Sequence, residues 1–299
     1  MTSSLPRRIA VLGGTGFIGQ HVAAEFAGAG VAVARLGSRD FDLSEPSSAD
    51  ALAKAVGPED VLFFGAVIPP RLGRDRATML RNIAMGETVS RFLDRAGCAG
   101  LVYMSTDNVY SAEEETLDEN TRFDPVDLYG LGHLVRERMV EDAAASAGIP
   151  CLVLRTGPVY GPGNRNDSYG PDRFLRTAAR YGVITLFGQG EEVRHHLFAA
   201  DLARAVRHLA TFGVTGVIHV APAVGASFRQ VAETVRALVG PQVRIDEQPR
   251  QVAIRHRVHV PEKLRALLPQ FTCTPLEIGL ARTMGAMSKE AAPSPAEER

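Results

Sequence analysis

The sequence predicts an α/β fold: a doubly wound parallel sheet with helices on both faces, followed by a smaller C-terminal α/β lobe. Three observations lead there. Short apolar runs alternate with helix-period segments through the first 156 residues. The first run, residues 9 to 12, breaks into glycines at Gly13, Gly16 and Gly19 just before the first helix. Past Gly157 the alternation gives way to a stretch dense in turn formers, which marks the change of lobe.

Residues 9 to 12 read as a buried strand because aliphatic side chains run unbroken up to the first glycine. Gly13 allows the tight turn, Gly16 lets backbone approach a pyrophosphate, and Gly19 lets the helix pack on the strand. The helix carries Phe17, Ile18, Val22 and Phe26 and closes at Gly28-Ala-Gly30, before a second strand over 31 to 36. Its free N–H groups and positive dipole end suit an anion. A dinucleotide is the ligand for such a β-α-β unit.

The next junction, Arg35-Leu-Gly-Ser-Arg-Asp40, discriminates between nicotinamide cofactors. An acidic side chain there would bond the ribose 2′-hydroxyl, whereas an arginine accommodates a 2′-phosphate. Ser38 and Arg39 supply a hydroxyl and a guanidinium fork, so NADP(H) is expected over NAD(H). The alternative is a solvated Arg39 paired with Asp40.

Ser44 is placed as a helix cap with Pro46 in the first turn, followed by a helix over 47 to 56 and a buried strand over 61 to 66. Helical periodicity returns at Leu80, Ile83, Val89, Phe92 and Leu93. A strand from Leu101 runs out into Ser105, Thr106, Asp107 and Asn108, at the carboxyl end where open α/β sheets bind ligands. Tyr129 and His133 are one helical turn apart and share a face. A strand over 151 to 154 closes the first domain, residues 1–156.

The lobe, mainly residues 157–287, is read as a helix over 171 to 180, a strand over 183 to 187, a helix capped near Asp201, and a strand over 216 to 220. Late strands of this kind are free to rejoin the sheet. Ser227 and Gln230 have capping-box spacing, residues 244 to 260 read as irregular with strand-like Val243 and Ile245, and helices follow over 262 to 268 and 276 to 287. Residues 288–299 have the low hydrophobicity of a disordered tail.

With 299 residues, 45% hydrophobic and 22% charged, the chain has ample material for a core, and its net charge of -1 disfavours nucleic acid and anionic membranes as partners. Cys98, Cys151 and Cys273 are scattered and odd in number, as expected of reduced thiols, and no metal-ligand cluster is visible. With no apolar targeting or membrane-spanning run, a cytoplasmic location is expected.

The loop Gly13-Gly-Thr15-Gly16-Phe17-Ile18-Gly19 resembles the cofactor loop of the extended short-chain dehydrogenase/reductases, Rossmann-type NAD(P)-dependent epimerases, dehydratases and reductases of nucleotide sugars. The resemblance implies cofactor contacts from all of these loop residues except Gly14, from Asp42 and Leu43 beside the adenine, and from the small pair Gly65 and Ala66. It also implies catalysis by Thr106 and Tyr129, since the family's acid/base pattern is Tyr-x-x-x-Lys after a strand-end Ser or Thr. Thr106-Asp107-Asn108-Val-Tyr110 is most similar to the deoxysugar-nucleotide ketone reductases, which puts Asp107 and Asn108 at the substrate.

His133 stands where family members have lysine. A mostly neutral imidazole leaves Tyr129 harder to ionise, and this hampers alcohol oxidation more than ketone reduction. Arg194, in Arg194-His195-His196-Leu-Phe, would clamp a sugar-nucleotide diphosphate; the alternative is a surface ion pair with Glu191 or Glu192. Pro158 and His195 depart from the family's substrate-lobe pattern, and His195 and His196 are read as structural histidines or substrate contacts. The expected activity is NADPH-dependent reduction of a keto-sugar nucleotide. Alternatives are an epimerase with tightly held NAD(P) and a non-catalytic cofactor sensor. A homodimer paired through the Tyr129 helix is expected.

Overall fold

In the computed structural model, which describes residues 4 to 291, β1 (Arg8–Leu12) is covered on both faces: Ile9, Ala10, Val11 and Leu12 are each 0% exposed. Alternating side chains therefore feed two separate cores. The remaining strands are β2 (Ala32–Leu36), β3 (Val61–Phe64), β4 (Gly100–Met104), β5 (Cys151–Arg155), β6 (Val183–Phe187), β7 (Gly216–His219) and β8 (Arg244–Gln248), beside several two-residue bridges. Six of these form one parallel sheet in the order β2-β1-β3-β4-β5-β7. The chain leaves β1 toward β2 and returns on its other side as β3, which opens a crevice at the carboxyl ends of these strands.

The helices are α1 (Phe17–Gly28), α2 (Ala49–Ala55), α3 (Arg76–Arg95), α4 (Leu128–Ser146), α5 (Pro171–Tyr181), α6 (Ala199–Thr211), α7 (Phe228–Val239), α8 (Glu262–Leu267) and α9 (Leu276–Ala291). Ile9 and Val11 pack with Val22, Phe26, Leu202 and Val206 of α1 and α6; Ala10 and Leu12 pack on the other face with Leu52, Val89, Phe92 and Val140 of α2, α3 and α4. Each such aliphatic side chain contributes about 1.5–3 kcal/mol of burial.

A third core unites the lobe: Phe174, Leu175, Ile184, Leu186, Val231 and Val235 come together where α5, α7 and α9 cover the parallel pair β6 and β8. β8 corrects the reading of 244 to 260 as irregular. Its residues Arg244, Asp246, Glu247 and Gln248 are polar, and a lone pairing with β6 gives no buried face to reveal by pattern. Two caps also differ. The Ser44 hydroxyl donates to Asp42 Oδ1 (2.7 Å) rather than capping a helix, and Asp201, buried in the first turn of α6, accepts from Thr274 N (2.6 Å) and Thr274 Oγ1 (2.9 Å). The helix α9 runs past the expected onset of the tail at 288 to Ala291; residues 292–299 of that tail lie outside the described residues.

One buried ion pair ties α4 to the sheet. Glu137 and Arg155 are 0% and 1% exposed and bond directly, while Ser105 Oγ donates to Glu137 Oε2 at 2.8 Å and Arg155 Nη1 donates to the Tyr110 hydroxyl at 2.8 Å. Every charge here has hydrogen-bonded partners, and removing one strands the other. Glu137→Gln is therefore expected to destabilise the fold by about 3–5 kcal/mol in denaturant titrations. A loss under about 1 kcal/mol would show that the pair does not anchor α4.

Candidate active site

A cleft of about 1170 Å³ opens at the carboxyl ends of the sheet strands, lined on one side by the glycine loop and on the other by the turn after β4, the start of α4 and the lobe. Gly13 has φ +84°, and its N–H is held by Leu36 O at 2.9 Å. A Cβ on Gly19 would sit 2.1 Å from Gly13 O, and one on Gly13 would sit 2.9 Å from Ala66 N. Only bare backbone fits there, and the start of α1 has no side-chain cap for its N–H groups. These residues fit a dinucleotide pyrophosphate.

Gly13, Thr15, Gly16, Phe17, Ile18, Gly19, Ser38, Asp42, Leu43, Gly65 and Ala66 all line the cleft. Arg39 is not among the residues that line it. Asp40 N donates to Gly37 O (3.0 Å) and Asp40 Oδ2 accepts from Gly37 N (2.7 Å), closing a tight turn that leaves Arg39 exposed at its tip. Asp42 accepts from both Ser44 N (2.8 Å) and the Ser44 hydroxyl, and those bonds hold its carboxyl below the usual carboxylate range.

Thr106, Asp107, Asn108, Tyr129, His133 and Arg194 line the other half. Thr106 meets Tyr129's helix through a close backbone approach. A Cβ on Gly130 would lie 2.2 Å from Asn108 O, and Asp127 caps α4 by accepting from Gly130 N at 2.8 Å. Thr106 Oγ1 accepts from Asn108 N at 3.2 Å and donates to Asp107 Oδ1 across 3.5 Å, a long bond that a substrate oxygen could replace. Burial, with Asp107 and Asp127 adding to it against Arg136, pushes the Tyr129 phenol up to about 12.

The rings of Tyr129 and His133 meet edge to face, centroids 4.6 Å apart. His133 Nδ1 lies 3.1 Å from the Tyr103 hydroxyl, and its buried Nε2 has no protein partner. Desolvation, reinforced by the neighbouring Arg136 charge, lowers His133 well below an ordinary histidine, so the imidazole is neutral. The site holds a protonated phenol beside an uncharged ring.

On the substrate side, Glu191 and Glu192 are bound by Arg250, so they do not claim Arg194, whose Nη1 donates to Val193 O at 2.9 Å and to Arg255 O. Asp107 is 6% exposed; burial pushes its carboxyl up, but His259, Arg257 and Arg194 outweigh that and hold it low. A buried polar chain runs back from it: Asp107 Oδ2 to His259 Nε2 (3.3 Å), His259 Nδ1 to His219 Nδ1 (3.3 Å), and His219 Nε2 to the Tyr110 hydroxyl (2.5 Å). Arg257 and His259 come from a segment with no sequence signal. Asp172, pushed up to about 6 by burial, was likewise unmarked, although a polar residue inside the first turn of a Gly-Pro helix start was visible.

His195 and His196 do not line this cleft. His195 Nδ1 lies 2.8 Å from Pro222 O, and both nitrogens of buried His196 lack partners.

A family model for the NAD dependent epimerase/dehydratase family matches residues 9–244. The chain is similar to the UDP-glucose 4-epimerase of Azospirillum brasilense, 26% identical over 279 residues covering 81% of this chain and 80% of that one. It is 28% identical over 261 residues to the dTDP-4-dehydrorhamnose reductase of Mycolicibacterium smegmatis, covering 82% and 75% of the two chains. The structure of RMD from Pseudomonas aeruginosa complexed with NADPH superposes with a TM-score of 0.80 at 22% identity, covering 95% of this chain and 99% of that one.

Burial lowers His196 to about 3, so the folded state keeps it neutral while the unfolded chain protonates it near its ordinary value. Its contribution is present above about pH 6.5 and is lost as pH falls toward 3. A His196→Phe variant should thus lose thermal stability less steeply than the parent between about pH 6.5 and 4. Parallel melting curves across that range would refute the assignment of a neutral His196.

Proposed function

The chain belongs to the NAD dependent epimerase/dehydratase family, and from that membership we propose that it is an NADPH-dependent reductase of a keto-sugar nucleotide. It is an NAD(P)-dependent oxidoreductase/epimerase of the extended short-chain dehydrogenase type. The reductase reading is carried by the contact between the Tyr129 and His133 rings, centroids 4.6 Å apart, where burial favours the uncharged form of both. Tyr129 is a phenol at neutral pH and His133 is neutral, so a proton donor is ready and a base is not. Reducing a ketone needs a proton delivered to the carbonyl oxygen; oxidising an alcohol would first need the phenolate.

A nicotinamide cofactor, when bound, would supply the hydride. Gly13, Gly16 and Gly19 admit its pyrophosphate, and His133 Nε2 is available to a cofactor hydroxyl. Thr106 Oγ1 donates to the substrate carbonyl and holds it in line, and Tyr129 gives its proton as negative charge builds on that oxygen. Arg194 takes the substrate diphosphate. The reductase relative from Mycolicibacterium smegmatis supports this substrate class. The epimerase relative supports a second reading, in which hydride is taken and returned with no net cofactor consumed.

The cofactor preference is supported by Ser38, which lines the cleft, and by Arg39 next to it on the exposed tip of the turn that Asp40 closes on Gly37. Exposed Leu128 and Leu131 on α4 support pairing of two chains through that helix.

With a panel of 4-keto-sugar nucleotides, the protein is expected to oxidise one NADPH per product formed, and Tyr129→Phe should cut kcat by about 10²–10⁴ while NADPH affinity holds. Product formed without NADPH consumption would favour the epimerase, and full turnover in Tyr129→Phe would remove the proposed acid. For the cofactor, Arg39→Ala should lower the NADPH-to-NADH ratio of kcat/KM by about tenfold; an unchanged ratio would reject a role for Arg39.

A further inference from the structure

Arg136 is 1% exposed, three residues beyond His133 on the inner face of α4. Its stem fills the space left by Gly86, where an added Cβ would lie 3.0 Å from Arg136 Cγ. The guanidinium carbon stands 4.6 Å from the centroid of Phe64 and 5.5 Å from that of Tyr103. Nη2 donates to Ala66 O at 2.7 Å, but Nε and Nη1 have no partner, and no carboxylate of the described residues forms an ion pair with it. Its neighbour Glu137 is already committed to Arg155. An unpaired charge taken out of water is costly, so the fold holds this one against its own stability.

The guanidinium connects to Tyr129 through two intervening rings. Tyr103, over whose ring it lies, hydrogen-bonds His133, and His133 packs on Tyr129. Ala66, whose carbonyl it grips, lines the cofactor half of the cleft. A phenol that gives up its proton becomes an anion in a low-dielectric pocket and needs a cation nearby. His133 carries no charge to offer, and the acidic groups facing Tyr129, Asp107 and Asp127, oppose the change.

We infer that Arg136 is the positioning residue that supplies this cation, a fixed buried charge that stabilises the Tyr129 phenolate as the proton leaves while its Nη2 holds the Ala66 backbone in place. This rests on the reductase reading above. Arg136 touches neither substrate nor the transferred proton; it acts through the field at Tyr129. Consistent with this, its charge works to lower the Tyr129 phenol and the His133 imidazole alike. Arg136 and a cation at position 133 would then repel one another, which accounts for a neutral ring there.

The test compares turnover of the full-length protein and the variants Arg136→Met, Arg136→Lys, His133→Lys and the double variant His133→Lys/Arg136→Met, with NADPH and the keto-sugar nucleotide that the parent reduces. Arg136→Met should lose about tenfold or more in kcat, Arg136→Lys should retain most of it, and the double variant should regain activity because the new lysine restores a cation. His133→Lys alone should be less thermally stable than the double variant, since it places two cations together. Replacing Tyr129 by a fluorinated tyrosine of lower phenol pKa should rescue Arg136→Met more than the parent, an effect no purely structural role produces. If Arg136→Met fails to fold, the rescue by His133→Lys in the double variant carries the same expectation. Parent-like kcat in Arg136→Met, or no rescue in both the double and the fluorotyrosine variants, would overturn the inference and leave the reductase reading intact. Absence of NADPH turnover in the parent across the whole panel would overturn that reading and the inference with it.

Discussion

The site depends on how closely the first turn of α4 approaches the turn that follows β4. At Gly130 there is no room for a single methyl group against Asn108 O, so the two segments meet backbone to backbone. That contact sets Tyr129 opposite Thr106, although the residues belong to elements separated by a long loop. The approach is held from both ends of the same helix surface: Asp127 closes the N-terminus, and Glu137, two turns further on, locks onto Arg155 and Ser105 at the ends of β5 and β4. Packing precision of this order is what positional catalysis needs, because small displacements of a donor cost rate steeply.

A second constraint is electrostatic. Among the described residues, those packed behind Tyr129 include an uncharged imidazole, the rings of Tyr103 and Phe64 and one guanidinium with two unpartnered nitrogens. Low dielectric magnifies every charge there. The opposite side of the cleft is balanced differently, with the Asp107 carboxyl held low against its burial by His259, Arg257 and Arg194.

The fold and much of the site could be read from the chain because their causes are local. Glycine spacing follows from steric need at Gly13 and Gly19, and an unbroken aliphatic run follows from burial of β1 on both faces. Thr106 and Tyr129 sit where a strand ends and a helix begins, and both boundaries leave marks in sequence. Arg257 and His259 enter the site from a stretch without periodicity, and Arg136 looks like any helical arginine until tertiary packing strips it of water. The placing of Arg39 at a turn tip is set by Asp40 bonding Gly37, a contact that spacing alone does not reveal.

The buried chain behind Asp107 joins two charged groups that lie far apart in the fold. Arg155 can only donate, so the Tyr110 oxygen accepts from it and meets His219 Nε2 with its remaining lone pair or its hydrogen. Burial holds His219 at about 3, so one of its ring nitrogens carries no hydrogen, and the tautomer it takes decides which partner donates at the Tyr110 and His259 contacts. A change of tautomer at this single ring would thus be felt in both directions, at the Arg155 anchor and at the Asp107 carboxylate in the mouth of the cleft.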